Sequence, residues 1–210
     1  DELDRPGRGQ AWTLGVVEPG RLAFLPRAAP PPDDGGFVVA TEYTGLSAGT
    51  ELSFVKGTHP ALRRAWDPER GVFDPDAPGT GYPVPRLGYM EVARVTESRA
   101  ADVAVGDLLA MRYGHADGHT APPGEFCVRL PDDLDPVLGV LVAHMGPICA
   151  NGVLHAAAEE TPEADPDLAA GVRSRHVLVM GAGVVGLLTG LLAHHLGAAE
   201  VAVVDVTPAR

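Results

Sequence analysis

Residues 176–205 constrain this chain more tightly than any other stretch. His176–Met180 (HVLVM) is an uninterrupted apolar run, predicted as a strand of a parallel sheet buried on both faces. It passes directly into Gly181-Ala182-Gly183-Val184-Val185-Gly186. Val184 to Leu196 then has helical spacing and stops at Gly197, and Val201 to Asp205 reads as a second buried strand ending in an acid. A lone G-x-G-x-x-G is weak evidence. Strand, glycine turn, helix, strand and terminal carboxylate in about thirty residues form a dinucleotide-binding fingerprint.

The chemistry explains the spacing. Gly181 permits the tight turn out of the strand, Gly183 lets the backbone approach a pyrophosphate, and Gly186 lets the helix pack close to the sheet. Val184 and Val185 open the helix, where free N–H groups and a partial positive charge face the phosphates. Asp205, nineteen residues beyond Gly186, is placed to accept both hydroxyls of an adenine ribose. It would repel a 2′-phosphate, so NAD(H) is favoured over NADP(H). The plain alternative is a glycine turn in an α/β protein that binds no nucleotide.

Composition narrows the field. With 16 basic and 28 acidic side chains in 210 residues, the net charge of −12 argues against nucleic acid as a partner. Lys56 is the single lysine beside fifteen arginines, and with 26 Gly and 20 Pro this points to a high-GC bacterial source. Two cysteines, Cys127 and Cys149, are too few for a disulfide framework and read as reduced thiols of a cytoplasmic protein. Residues 1–10 are a charged tail with no apolar signal-type core. Val177 to Ala199 lacks charged residues other than histidine, but its glycines and the His194-His195 doublet argue against a membrane span.

Between residues 11 and 129, short apolar runs broken by Gly and Pro predict a compact β domain: WTLGVV, RLAFLP, GFVVATEY, MEVARVT, LLAMRY and EFCVRL. Residues 57–85 carry six prolines and read as a loop able to cover a cleft. Val137 to Ala158 is apolar with helical spacing, and EETPEADPDLAAG follows as an acidic connector. The expected division is a tail at 1–10, a β domain at 11–146 and a nucleotide-binding part at 147–210.

From about Trp12 onward the chain resembles the medium-chain dehydrogenase/reductase family, the alcohol-dehydrogenase-like enzymes. The resemblance rests on ATEYTGLSAGTELSFVKG (40–57), RLGYMEVARV (86–95), VGDLLAMRYGHADGHTAPPGEFCVRLPDDLD (105–135) and the fingerprint. It implies an α/β plus β architecture: a GroES-like β-barrel domain followed by the first β-α-β part of a Rossmann domain. One such unit supplies two of the strands of a Rossmann sheet, so the chain is expected to be incomplete. The resemblance also implies that Arg210 contacts the ribose bound by Asp205, that Asn151 contacts the nicotinamide side, and that oligomer contacts lie in missing residues.

The departures are as informative. Where zinc-dependent members have a ligand cysteine, this chain has Ser47 or Ala48; where they have a ligand histidine it has Tyr89; and Pro147 occupies the third position. Ala and Pro offer no donor atom, and catalytic zinc needs three protein ligands. The pairs His115/His119 and His144/Cys149 do not suggest a replacement site. The resemblance is therefore to zinc-free branches, with the S-A-G-T-E variant similar to dehydrogenases near the bacteriochlorophyllide-dehydrogenase type. It implies hydride transfer between NAD(H) and an alcohol, ketone or conjugated carbonyl of a small metabolite. Tyr89 is the candidate hydrogen-bond donor and Thr50 the proton relay, with Tyr89 as a filler of the metal's space the competing role. Glu51 matches a supporting acid that here is expected to pair with an arginine. Enoyl or quinone reduction, or a non-catalytic NAD-binding sensor, are the alternatives.

Overall fold

The computed structural model describes residues 9–160 and 167–208. They divide into two compact units, separated between Ala143 and His144. The division falls three residues before the boundary expected from sequence, so His144 to Gly146 belong with the second unit.

In the first unit, β1 (Trp12–Glu18) and β2 (Arg21–Pro26) form an antiparallel hairpin. β3 (Phe37–Thr44) leads through Gly45 to Ser47 into α1 (Ala48–Val55). Residues 57–85 are not a plain loop. They hold a 3-10 turn at Pro60–Leu62 and a hairpin of β4 (Arg64–Asp67) and β5 (Val72–Pro78). The prolines concealed that hairpin, which is stabilised by the edge-to-face pair Trp66–Phe73 and by Asp67 accepting the Glu69 and Arg70 N–H groups.

β6 (Glu91–Ser98), β7 (Leu108–Met111), β8 (Gly118–Ala121) and β9 (Cys127–Arg129) join β3 in a five-stranded antiparallel sheet of order β8-β3-β6-β7-β9. Alternation along β3 and β6 sends Phe37, Val39, Ala93 and Val95 into a core completed by Leu109, Met111 and Ala121. A smaller core of Val16, Val84 and Leu87 packs against Phe54 and Val55 of α1. That contact anchors the helix carrying Thr50. The short α2 (Pro136–Gly139), capped by Asp135, ends the unit.

In the second unit, α3 (Met145–Glu160) precedes β10 (His176–Met180), α4 (Val184–His195) and β11 (Glu200–Val204). The apolar stretch from Val137 is thus two helices, not one. β10 and β11 are parallel and in register from His176↔Glu200 to Met180↔Val204. Val177 and Val201 pack with α3 and α4 around Val153 and Ala193. Among the described residues the helices cover one face of this two-stranded sheet, and on the other Leu178 is 63% and Met180 83% exposed. No helix among the described residues is long and apolar enough to cross a membrane. Cys127 and Cys149 are both free thiols.

Candidate functional site

The glycine turn lies entirely within the second unit. Gly181 has φ +107°, a backbone state that favours glycine, and its N–H is bonded to Val204 O at 2.7 Å, tying the turn to the end of β11. Gly183 is the N-cap of α4 in an extended conformation, so Val184 and Val185 occupy its first turn. A Cβ at position 186 would overlap the carbonyl oxygen of Gly181. The turn and the helix are therefore as close as two backbones can come, and this is the packing that a dinucleotide cradle needs.

Asp205 stands just past β11 rather than within it. Its Oδ2 accepts the Ala182 N–H at 2.8 Å, and its Oδ1 accepts the Thr207 N–H at 2.7 Å. Asp205 also lines a cavity of about 410 Å³ with Met180, Gly181, Val204 and Val206. Asn151 sits exposed on α3 and is not part of that wall. Arg210 lies outside the described residues, as do most of tail 1–10 and the middle of the acidic connector.

The second constellation belongs to the first unit and gathers at the start of α1. Ser47 is the N-cap residue, yet its hydroxyl makes no capping bond to the helix backbone. It accepts a short hydrogen bond from the Tyr89 hydroxyl instead. Tyr89 OH also lies 3.4 Å from Thr50 Oγ1, one turn into the helix. Three hydroxyls thus converge from the Gly45–Ser47 loop, from α1 and from the segment before β6.

Glu51 supplies what the capping serine does not. Its Oε1 accepts the Ser47 N–H at 2.6 Å, so a carboxylate in the first turn satisfies the entry to the helix. Its Oε2 is 2.6 Å from His115 Nε2, and His115 Nδ1 shares a hydrogen bond with Thr44 Oγ1 at 2.7 Å. Glu51 therefore pairs with a histidine, not with the arginine expected. The reason is proximity: the loop after β7 brings His115 under α1. His115 and Thr44 also line a cavity of about 640 Å³ with Trp12, Phe24 and Leu46.

His119 serves a separate, buried cluster. It stacks on Tyr113 with ring centroids 3.7 Å apart, and its Nδ1 lies 3.4 Å from Glu91 Oε2. Thr41 donates to the other Glu91 oxygen at 2.5 Å. His115 and His119 thus face different carboxylates and do not converge. No group of three or more His, Cys, Asp or Glu among the described residues is arranged to hold a metal ion. Ala48, next to Ser47, has no donor atom, and neither does Pro147 in the second unit.

Two parts of this picture escaped sequence reasoning. The Glu51–His115 pair joins positions 64 residues apart, and only the sheet brings them together. Ser47 appeared only as a residue in place of a cysteine; the signal available was a capping-type residue with an acid in the following first turn.

No protein-family model matches the chain, and no curated protein matches it by sequence. Solved structures do. An oxidoreductase/dehydrogenase of unknown specificity from Escherichia coli aligns with TM-score 0.64 and 22% identity over 94% of this chain and 58% of that one. TarJ of S. aureus, solved in complex with NADPH, aligns at 0.66 and 15% over 95% of this chain and 55% of its own. An alcohol dehydrogenase superfamily protein from Novosphingobium aromaticivorans aligns at 0.66 and 16% over 93% of this chain and 52% of its own. The chain spans a little more than half the length of each of these proteins. The chain shares the fold of these proteins over its described length, a GroES-like β unit followed by a β-α-β unit.

Proposed function

We propose that the protein is an NAD(H)-dependent oxidoreductase of the medium-chain type that interconverts a carbonyl and an alcohol without zinc. The observation that carries this reading is the trio Tyr89, Ser47 and Thr50, held by Glu51 and His115. When bound, the nicotinamide cofactor supplies or takes up the hydride. Everything else is asked of the chain's own groups.

The residues of the glycine turn fit that cofactor. Gly181 and Gly186 make the close backbone turn, Val184 and Val185 present first-turn N–H groups, and Asp205 places a carboxylate beside that turn, where a ribose would lie. The Asp205 carboxylate supports NAD(H) over NADP(H), because a 2′-phosphate beside it would meet a like charge. Arg210 and Asn151 are proposed as further contacts to the ribose and the nicotinamide.

Reduction of a carbonyl places negative charge on its oxygen, which needs a donor aimed at it. Zinc does not fit the donors present. Ala48 and Pro147 contribute none, and His115 and Glu51 are occupied with each other and with Thr44 and Ser47. Phenol and alcohol hydroxyls remain. Tyr89 donates to the developing alkoxide, and Ser47 and Thr50 share the phenol's hydrogen bond as its proton is lost and restored. Thr50 is exposed, so the exchange of that proton with solvent is open. In the reverse direction, the alcohol's proton passes to Tyr89 as the phenol's own proton leaves through Thr50 to solvent.

Titration with NADH and NADPH, followed by turnover against a panel of ketones and conjugated carbonyls, tests the reading. The expected result is tighter NADH binding, turnover of a carbonyl, and a Tyr89→Phe variant slowed by roughly 10²-fold with NADH binding unchanged. Full turnover by Tyr89→Phe removes Tyr89 from the mechanism. Stoichiometric zinc in the active protein overturns the zinc-free reading. Nucleotide binding without any turnover makes the protein a sensor instead.

A further inference from the structure

Arg63 and Arg64 stand apart in the charge pattern. Seven of the described arginines lie against carboxylates, and Arg86 and Arg112 lie over aromatic rings. Arg175 is engaged as well. The guanidinium groups of Arg63 and Arg64 have no partner among the described residues, in a chain with 28 acidic side chains to choose from. From Ser53 to Trp66 there is no acid at all, while Lys56, the only lysine, stands at the C-cap of α1.

Both arginines line a cavity of about 210 Å³, together with Thr58, His59 and Pro60. His59 Nδ1 accepts the Ala61 N–H at 3.1 Å, so the neutral ring carries its proton on Nε2 as a donor. The ring is fixed by stacking on Phe54 of α1, centroids 3.7 Å apart. The residues of the wall thus include two arginines and a histidine with a donor nitrogen, and no carboxylate. That set suits an oxyanion: each fork forms charge-assisted, bidentate bonds to phosphate or carboxylate oxygens.

We propose that this cavity receives the anionic group of the substrate, a phosphate or carboxylate, with Arg63 and Arg64 as its charge partners. The substrate part of this assignment rests on the dehydrogenase reading given above. The position is consistent with such a handle. The hydroxyl trio is at the first turn of α1 and the cavity adjoins its last residues, and a helix of this length spans about 12 Å. The acceptable substrate therefore carries its anion on the order of 10 Å from the reacting carbon, beyond the reach of a two- or three-carbon acid.

Inorganic phosphate titrated at constant ionic strength into the isotope-labelled full-length protein tests the site by amide shifts. Saturable shifts confined to Thr58–Arg64 are expected, with affinity roughly tenfold weaker in the Arg63→Gln/Arg64→Gln variant and NADH binding unchanged. Arg63→Lys/Arg64→Lys, which keeps charge but loses the fork, is expected to fall between the two and serves if the Gln variant does not fold. Against carbonyl compounds with and without an anionic group, the Gln variant is expected to raise KM for the anionic ones at constant kcat, and phosphate to compete with them. Absence of saturable binding by the wild type, or binding unchanged in the variants, overturns the site. Phosphate binding that does not compete with anionic substrates makes it a free-anion site and overturns the substrate assignment. Arginine-dependent phosphate binding in a protein that neither binds NADH nor turns over any carbonyl would refute the dehydrogenase reading alone.

Discussion

The carboxylate of Glu51 and the imidazole of His115 lie 2.6 Å apart across 64 residues of sequence, with side chains only 3% and 13% exposed. A buried ion or hydrogen-bonded pair of this kind is costly to break from one side, because the survivor is left without its partner. His115→Ala is therefore expected to lower unfolding free energy by about 3 kcal/mol, and Glu51→Ala by a similar amount. The double variant should lose much less than the sum of the two. Urea unfolding of the four proteins measures the coupling; strict additivity would show that the pair does not act as a unit.

Asp205 accepts one hydrogen bond from the glycine turn through Ala182 N–H and another from Thr207 N–H. Asp205→Asn keeps an acceptor for one of these N–H groups but removes the charge. The ratio of NADPH to NADH affinity is expected to rise roughly tenfold, since the like-charge penalty against a 2′-phosphate disappears. Fluorescence titration with both nucleotides reads this ratio. Gly186→Val is the complementary variant. Its side chain would collide with the Gly181 carbonyl, and NADH binding should be lost altogether.

His59 links stability to pH. Burial pushes its pKa below the ordinary value of 6.5, and its unprotonated Nδ1 accepts the Ala61 N–H. As pH falls through 6.5, the unfolded chain takes up this proton before the folded one does. The stabilising contribution is thus fully present above 6.5 and is lost below it. Asn at this position can still accept the Ala61 N–H but does not titrate. The His59→Asn variant should show a shallower fall in Tm between pH 7 and pH 5 than the parent. Parallel Tm curves would exclude His59 as a source of the slope.

Cys127 is expected to be an unreactive thiol despite its partial exposure. Burial pushes its pKa up, and the charges of Asp102 and Glu125 push in the same direction against the opposing Arg129. Thiolate, the reactive form, is correspondingly scarce near neutral pH. Alkylation by iodoacetamide at pH 7.5 should be several-fold slower than that of glutathione, and Glu125→Gln should accelerate it. Mass spectrometry of the labelled peptide follows both rates.

The most legible parts of the chain were those whose signal is local. HVLVM, the glycines after it and the spacing to Asp205 declare a β-α-β unit without help from the rest of the molecule. The alternating runs at β3 and β6 likewise foretell a sheet, because side-chain direction in a strand depends only on residue parity. The β4–β5 hairpin was not legible: prolines at 75 and 78 disguise an edge strand as a loop. Glu51 illustrates the limit for the site. Its residue type promised a partner, but the identity of that partner was decided by a loop 64 positions away.

Thr44, Ser47, Thr50, Glu51, Tyr89 and His115 all lie within the first compact unit, which precedes the glycine turn in the chain. Domains fold as units, the N-terminal one first during synthesis. The hydroxyl array and its Glu51–His115 support therefore need nothing from the second unit to take shape. On the ribosome, the proposed proton-handling groups are expected to be set in place before the glycine turn has emerged.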